Sequence, residues 1–503
     1  MRNLDYIVFF GYLVLTAAIG LYFTRSQKKS SDFFLAGRTM NWFPIGLSIM
    51  VTAFSAINYT AFSGEVFGHG LYVFLCLPVF IFVAIPVIKV IMPFYHSMQL
   101  YSVYDYLENR FDKNVRLLGS ILFIFWQLFW VATVIYVPCK VLSALTGYST
   151  TSFILIAGIF ATVYTMAGGI KAVIWTDVLQ FFVLFGGIVL SVIFTSLAVP
   201  GGFSGIFKIC LSGGLMKPFY PFDPQMFSFD PHVRITLWSC WIGTLTAFLA
   251  RYGVDQVVVQ RYFTAKSLKN AQRGFHLNYI TAILVLVSLG ILGFAVFAFM
   301  KTSGMPGSHG ELPIDYFSQF VQALPAGMTG LIIAGLFAAT MSSLDSGINS
   351  LTTVFVVDIY QKIKPSKILS EMTVNRLFTL FIGFIATVLA LNVSMLGSIF
   401  EIANKVINGF GSPLLAIFIL GMFSKRANSR GMIMGGIAGA VWSAYVSFTV
   451  QNLALHYYAV INLLGTLFLC YFFSLVFQGR SNRPGSKQLA WMYARRKNLK
   501  KSE

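Results

Sequence analysis

The sequence predicts an all-α polytopic membrane protein. Its 503 residues are 57% hydrophobic and only 11% charged, and its mean hydropathy is +0.76. This composition excludes an ordinary soluble domain. About 13 apolar segments are long enough to cross the hydrocarbon core of a bilayer as helices, at about 20 residues each. Basic residues recur between alternate segments, which is the pattern expected of cytoplasmic loops.

The predicted spans follow one another along the chain, and we number the first of them helix 0. We interpret that first span as a retained helix rather than a signal peptide, because its basic residues follow it. The outer segment 311–327 is too short and polar to span, and it is either an interfacial helix or a plain connector. The spans are 6–24, 42–64, 71–95, 117–146, 151–168, 172–199, 234–262, 275–300, 326–358, 373–395, 398–423, 431–451 and 456–478.

The distribution of Lys and Arg predicts an N-terminus outside and a C-terminus inside. The predicted outer loops hold only Lys208, Lys217 and Lys301. The net charge of +19 therefore reflects the orientation of the chain in the membrane. For that reason we expect no nucleic-acid partner. The basic tail, 481–503, has the composition of a segment that contacts lipid headgroups. The predicted inner loops carry Arg25, Lys28, Lys29, Arg38, Arg110, Lys113, Arg116, Lys171, Arg261, Lys266, Lys269, Arg273, Lys362, Lys364, Lys367, Lys425, Arg426 and Arg430.

Cysteine and histidine spacing indicates neither a disulfide framework nor a Cys/His metal site. No CxxC pair, no paired histidines at metal-ligand spacing and no Walker A glycine loop occur in the sequence. We therefore expect buried core cysteines and no enzyme. The cysteines are Cys76, Cys139, Cys210, Cys240 and Cys470.

Helix 8 carries hydroxyls and a carboxylate inside an apolar span. Positions 339, 342, 343 and 346 lie on one helical face, and a second stripe runs through 342, 345, 346 and 349. Asp345 on this helix and Asp177 on helix 5 lie at compatible depths. Oxygen-rich faces of this kind suit a hard cation, although small residues also favour close packing between helices. Two intramembrane carboxylates shift the interpretation towards a cation site.

Helices 1 and 6 are predicted to be interrupted. Helix 1 reads "NWFPIGLSIMVTAFSAINYTAFSGEVFGHG", in which Pro44, small residues, Asn58 and Glu65 replace a continuous apolar run. Five spans later, helix 6 is interrupted by "ARYGVDQ" around Gly253. Discontinuous helices at corresponding places in two halves indicate a transporter site, because their free carbonyls can coordinate ions.

Four motifs together resemble the sodium:solute symporter family. They are "GGIKAVIWTDVLQ" (168–180), "DQVVVQRYFTAKS" (255–267), "GLIIAGLFAATMSSLDSGINS" (330–350) and "LGMFSKRAN" (420–428). The resemblance implies a five-plus-five inverted-repeat core, with helices 1 to 5 set against helices 6 to 10. The implied segments are an extra helix and loop (1–40), a first repeat (41–200), an outer loop (201–232), a second repeat (233–428), two further helices (429–480) and the tail.

The resemblance also implies particular binding residues. A first Na+ site would use the carbonyls of Val51, Phe54 and Ala339 with the hydroxyls of Ser342 and Ser343. A second would use Asp177, Ser342, Asp345 and Ser346, although the sialic-acid transporters have serine in place of Asp345. Those transporters also have an arginine where this chain has Trp130, so sialic acid is not the expected solute. The implied solute pocket contains Ser55, Asn58, Tyr72, Val73, Leu77, Trp130, Asn404 and Asn408.

These features predict Na+-coupled symport of a small solute across the plasma membrane, most naturally a bacterial inner membrane. The solute is an organic anion such as a monocarboxylate, a sugar or an amino acid. The protein is expected to act as a monomer or weak homo-oligomer in the lipid bilayer. Three alternatives stay open. Protons could replace Na+ at Asp177, Asp345 or Glu401. The chain could be a solute-sensing receptor, although its short tail leaves little room for an output domain. The paired aspartates could also serve an intramembrane hydrolase.

Overall fold

The computed structural model is almost entirely helical. It describes residues 2–24, 27–304, 314–363, 370–393, 399–450 and 453–477, with the side chains of 314–318, 399–408 and 455 excepted. Within these ranges the β-type pairings are two isolated bridges, Met40 with Ala265 and Phe219 with Phe222. The all-α prediction is therefore confirmed for the described part of the chain.

Twenty α-helices follow one another along the chain. The first ten are α1 (Asn3–Thr24), α2 (Ser30–Leu35), α3 (Trp42–Ala53), α4 (Ala56–His69), α5 (Val79–Pro86), α6 (Met92–His96), α7 (Asp105–Arg110), α8 (Lys113–Thr146), α9 (Thr150–Ala198) and α10 (Gly202–Ser212). The others are α11 (Thr244–Gly253), α12 (Gln256–Thr264), α13 (Leu268–Thr302), α14 (Ile314–Ala323), α15 (Met328–Val354), α16 (Gln361–Ile363), α17 (Glu371–Asn392), α18 (Ile399–Phe423), α19 (Ser429–Thr449) and α20 (Leu455–Val476).

Shorter helical segments join several of these helices. Three are 3₁₀ turns, at Ala36–Arg38, Gly70–Cys76 and Pro224–Phe227. Three others are π segments that continue a neighbouring helix, at Val87–Ile91, Ser239–Gly243 and Phe355–Tyr360. Nine helical runs in the described residues are long and apolar enough to cross a membrane, and two of them, Ala56–His96 and Met328–Ile363, join consecutive helical segments. The remaining predicted spans appear as broken, merged or shorter helices.

Helices 4 and 5 of the prediction form the single run α9, bent sharply at Gly169. The backbone there has φ 58° and ψ −168°, a conformation essentially restricted to glycine. A β-carbon on Gly169 would lie 2.9 Å from the carbonyl oxygen of Phe33. The expected loop around Lys171 is therefore wrong. The chain bends at one glycine, because a residue without a side chain can pack against α2.

Helices 1 and 6 are both broken, as the sequence predicts. Between α3 and α4, Phe54 and Ser55 are extended, with φ near −110° and ψ of 119° and 171°. Between α11 and α12, Val254 and Asp255 leave the helical conformation. Ser55 and Asp255 each accept a hydrogen bond from the amide two residues ahead, which caps the second half of each helix.

Helix α15 lies at the centre of the bundle. Every residue from 332 to 354 is buried, including its serines and Asp345. Small residues allow close approach to its neighbours. A β-carbon on Gly347 would lie only 2.4 Å from Cγ2 of Val131 on α8. In a bilayer such close packing and buried polar contacts hold helices together. The same packing sets the polar face of α15 against α3 and α9.

Two further sequence expectations are corrected by the structure. Arg261, expected in a cytoplasmic loop, is completely buried on α12. Cys76 and Cys240 form a disulfide across 164 residues of sequence, contrary to the expectation of no disulfide. Their separation exceeds any local spacing motif, so only the fold brings them together. The other three cysteines are free and buried, as expected.

Part of the predicted interfacial segment is helical. Helix α14, Ile314–Ala323, lies within 311–327, and residues 311–313 fall outside the described part of the chain. The basic tail, 481–503, also lies outside the described residues.

The bend at Gly169 gives a stability prediction. We expect Gly169→Ala to lower the free energy of unfolding by about 1–3 kcal/mol, because alanine is strained in this backbone conformation. Gly186→Ala is the matched control on the same helix, since a β-carbon there meets nothing within 4 Å. That substitution should be neutral or slightly stabilising. Thermal unfolding of the purified proteins in detergent measures both. Equal stability of the two variants would contradict the assigned strain.

Candidate ion and solute sites

The five residues assigned to a first ion site lie together where helix 1 breaks. Ser342 Oγ donates a hydrogen bond to the carbonyl of Val51 at 3.1 Å and to that of Ala339 at 3.0 Å. Ser343 Oγ lies 3.4 Å from the carbonyl oxygen of Phe54. All five residues are buried. The structure therefore brings together every oxygen that the resemblance names for this site.

The carbonyls at this place are available because α3 ends at Ala53. The last carbonyls of a helix lack the usual amide partner within the helix, and inside a bilayer no bulk water replaces that partner. The Val51 carbonyl accepts one backbone bond, from the Phe54 amide at 3.0 Å, which leaves its second lone pair available. Besides the Val51 and Phe54 carbonyls, the Thr52 carbonyl accepts from Ser343 Oγ at 3.3 Å. Neutral carbonyl and hydroxyl oxygens in this arrangement suit a hard cation such as Na+.

Two of the four residues of the second assigned ion site, Asp177 and Ser346, bind a buried arginine. Arg261 Nη2 donates to Asp177 Oδ2 at 3.1 Å and to Ser346 Oγ at 2.5 Å. The same nitrogen donates to Thr52 Oγ1 at 2.6 Å, and Nε donates to Ser48 Oγ at 2.6 Å. Arg261 and Asp177 are both fully buried. The Arg261 guanidinium therefore lies at the place where the resemblance puts a second Na+.

Asp345 lies beside this cluster but is held by different donors. Tyr164 donates to Asp345 Oδ2 at 2.6 Å, and Ser346 Oγ lies 3.3 Å from Oδ1. Asp177 Oδ1 is buried and has no hydrogen-bond partner among the described residues. Two carboxylates and one guanidinium give this cluster a formal charge of −1 when both acids are ionised. In that ionised state the unpartnered Asp177 oxygen is an available cation ligand.

Most of the assigned solute residues that the structure describes have structural contacts. The Ser55 amide and Oγ both donate to Asn58 Oδ1, at 3.0 and 3.1 Å, so this pair caps α4. The Tyr72 hydroxyl donates to Asp223 in the outer segment. That bond, with the Gln225 amide, holds the pKa of Asp223 below its usual value. Val73 packs with the apolar residues around α10.

Leu77 packs against the main hydrophobic core. The side chains of Asn404 and Asn408, and of Glu401, lie outside the described residues.

Trp130 has the contact that bears most directly on the solute. The Arg251 guanidinium carbon lies 5.9 Å from the Trp130 ring centroid, within the range of a cation–π contact. Arg251 comes from the end of α11, at the break of helix 6. It donates to Asp255 Oδ2 at 2.5 Å and to the Thr52 carbonyl at 3.1 Å. The indole nitrogen of Trp130 is buried without a partner among the described residues.

Sequence reasoning missed the residues that join these sites. Ser48 and Thr52 lie on α3 one helical turn apart and bind Asp177, and their polarity within "IGLSIMVTAF" was an available signal. Arg251 was quoted inside the helix 6 interruption but given no role. Arg261 follows "QVVVQ", an otherwise uncharged run, and a charge so placed signals a buried partner.

Taken together, these features define a membrane transporter. Two interrupted helices meet at a buried set of oxygens, and a helix rich in serine completes that set. Comparison with known proteins identifies the family. The sequence model of the sodium:solute symporter family matches residues 33–439, and the chain belongs to this family.

Individual relatives and a solved structure agree with this family assignment. The chain is 32% identical to the human sodium-coupled monocarboxylate transporter 1 over 459 residues, covering 89% of this chain and 73% of that protein. It is 29% identical to the sodium/sialic acid symporter of Aliivibrio fischeri over 501 residues, covering 97% and 96%. A solved outward-open Na+-coupled sialic acid symporter superposes with a TM-score of 0.86 at 27% identity, covering 96% of this chain and 99% of that one.

These comparisons establish the protein as a multi-pass, Na+-coupled solute symporter with a five-plus-five inverted-repeat core. The expected small solute and Na+ are thereby supported. Family and relatives are transporters, which agrees with the expectation that the protein is not an enzyme.

The buried ion pair gives a second prediction. We expect Arg261→Met to lower the free energy of unfolding by about 3–5 kcal/mol, because it leaves the Asp177 carboxylate buried without its cation. Adding Asp177→Asn should recover part of this loss. A double-mutant cycle measured by thermal unfolding tests the coupling. Strictly additive effects would show that Arg261 and Asp177 do not interact.

Proposed function

We propose that the protein carries a small organic anion into the cell together with Na+ by alternating access. The observation that carries the proposal is the approach of Ser342 and Ser343 to the carbonyls freed by the break in helix 1. We take these oxygens to be Na+ ligands. The proposed location is the plasma membrane, in a bacterium the inner membrane.

The proposed cycle starts when extracellular Na+ enters between α3 and α15. The hydroxyls of Ser342 and Ser343 then turn their lone pairs towards the ion, and the ion draws the helix 1 break against α15. This closes the wall of the adjoining solute pocket. Solute binds beside the ion, the two repeats rock, and both are released inside.

One Na+ provides a useful driving force. Moving one charge through about 100 mV yields about 2.3 kcal/mol, and a tenfold concentration ratio adds about 1.4 kcal/mol. Their sum, about 3.7 kcal/mol, sustains a solute gradient of about 500-fold for a neutral solute. An anionic solute moves its own negative charge inward, which cancels the electrical contribution of one Na+. A second Na+ at Asp177 therefore restores the electrical driving force for an anion.

Arg251 supports an anionic solute. The guanidinium has five N–H donors, and its described hydrogen bonds go to Asp255 and the Thr52 carbonyl. Its side chain is 14% exposed whereas that of Asp255 is fully buried, so the Arg251 side chain is not completely enclosed. Arginine commonly binds carboxylates through two parallel bonds. The human relative carries monocarboxylates by its name, and this chemistry agrees with that class.

A third prediction tests the Na+ ligands. Ser343→Ala removes a hydroxyl contact to a charged partner, worth about 1.5–3 kcal/mol. The Na+ concentration for half-maximal uptake in proteoliposomes should therefore rise about 10- to 150-fold.

Thr352→Ala is the matched control for this prediction. The Thr352 hydroxyl lies on the same helix and donates only to the Ile348 carbonyl of that helix. Its Na+ activation should stay unchanged. Unchanged activation in Ser343→Ala as well would remove Ser343 from the ion site.

A fourth prediction tests the solute class. The pair Arg251→Gln with Asp255→Asn removes the cation without leaving a buried carboxylate unpaired. Na+-driven uptake of small carboxylates such as lactate should show a half-saturation concentration about 10- to 150-fold higher, the effect of losing a charged hydrogen bond. The neutral analogue lactamide should compete equally with both proteins. Arg251→Lys retains the positive charge, so its half-saturation concentration for carboxylates should rise less.

The stabilisation of each variant by Na+ alone, measured as a thermal shift, serves as the control for folding and ion binding. Retained Na+ stabilisation with unaltered carboxylate uptake would reject Arg251 as the anion ligand while leaving Na+ coupling intact.

A further inference from the structure

A cavity separate from the ion and solute sites opens at the end of the bundle that the basic loops mark as cytoplasmic. Its volume is about 510 Å³. It lies between the start of α3, the part of α9 just beyond the Gly169 bend, and the start of α13. The lining residues are Asn41, Trp42, Phe43, Pro44, Trp175, Lys266, Asn270 and Arg273.

The cavity contains two cations without a counter-charge. Lys266 and Arg273 are both exposed, and in the described part of the chain neither forms an ion pair or a hydrogen bond through its side chain. The backbone holds Lys266 in place, since its amide donates to the Met40 carbonyl at 3.1 Å and the Met40 amide donates to Thr264. This bridge fixes the Lys266 loop against the entry to α3. The cations are therefore arranged around a formed concavity rather than spread over a loop.

Polar groups of α3 face the same region. Asn41 occupies the cap position of this 12-residue helix, and its side chain makes no capping hydrogen bond. The first amides of a helix have no acceptor within the helix and favour an anion. The Asn270 side-chain amide donates to Ser267 Oγ at 2.8 Å. The cavity thus combines two cationic side chains with the Asn41 side-chain amide and a helix N-terminus, which together match the oxygens of a phosphate.

Large aromatic side chains surround this polar centre. Trp42, Phe43 and Trp175 are each 39–40% exposed. Tryptophan and basic residues concentrate at the level of lipid headgroups, where basic pockets between transmembrane helices bind anionic lipids. A free phosphate ion would interact with Lys266 and Arg273 but would gain no binding energy from the exposed indoles of Trp42 and Trp175. An amphipathic ligand gains from both.

We propose that this cavity binds the phosphate headgroup of an anionic phospholipid from the cytoplasmic leaflet. Lys266 and Arg273 neutralise the phosphate, and Trp42 and Trp175 contact the glycerol and upper acyl chain. Bound there, the lipid joins the start of the broken helix 1 to helices 5 and 7 of the core. It therefore stabilises the packing of these three helices.

The test compares lipid binding to the full-length protein in two double variants. Lys266→Gln with Arg273→Gln removes both cavity cations. Lys113→Gln with Lys269→Gln removes the same charge from exposed residues that do not line the cavity. The first readout is the amount of phosphatidylglycerol, relative to phosphatidylcholine, that stays bound in native mass spectrometry. The second is the thermal stabilisation caused by vesicles of each lipid, compared with inorganic phosphate alone.

We expect phosphatidylglycerol to bind and stabilise the natural protein in preference to phosphatidylcholine. Each cation near an anionic surface contributes about a fivefold factor, so the cavity variant should bind about 25-fold more weakly. The control variant should behave as the natural protein does. Equal loss in both variants would reduce the effect to general surface charge and overturn the proposal. Equal stabilisation by inorganic phosphate would assign the cavity to a free anion and also overturn it. Neither readout depends on transport.

Discussion

A backbone carbonyl that leaves its helix inside a membrane needs a partner, and this constraint organises the core of the protein. Helix 1 ends at Ala53 and restarts at Ala56, which leaves the carbonyls of Thr52 and Phe54 without a helical amide and the carbonyl of Val51 with only the Phe54 amide. Serines of α15 and a guanidinium from helix 6 satisfy them. The close packing of α15 against α3 and α9 is what keeps those donors in place. A break in helix 1 without α15 opposite would expose unsatisfied oxygens to hydrocarbon.

The same constraint connects the ion and solute regions physically. The Thr52 carbonyl receives both Ser343, an assigned ion ligand, and Arg251, which lies over Trp130. A movement of the helix 1 break therefore affects the contacts of both Ser343 and Arg251. Coupling between two ligands requires that each alters the surroundings of the other. The Thr52 carbonyl provides a short physical connection for such coupling, because it accepts one hydrogen bond from Ser343 and one from Arg251.

The sequence predicted the fold well because the fold depends on local patterns, whereas the ligands of the first ion site came from the family resemblance and stay a prediction. Apolar run lengths, basic loops and small residues in helix 1 are visible without tertiary structure. The turn at Gly169, the Cys76–Cys240 disulfide and the burial of Arg261 were mispredicted, since each depends on residues far apart in sequence. Arg261 was assigned to a loop because a charge at the end of an apolar run ordinarily marks a boundary. Only packing against α3, α9 and α15 shows that it is enclosed by acceptors.

Arg261 has a consequence for how work is extracted from the membrane field. A charge tethered to the polypeptide returns to its starting point in every complete turnover, so its displacements cancel and draw nothing from the voltage. Only ions that enter on one side and leave on the other do electrical work. The Arg261 guanidinium stabilises the buried Asp177 carboxylate, so this carboxylate has a counter-charge that belongs to the protein itself. The charge of Arg261 thus contributes to the stability of the protein, whereas the driving force comes from the charge of the transported ion.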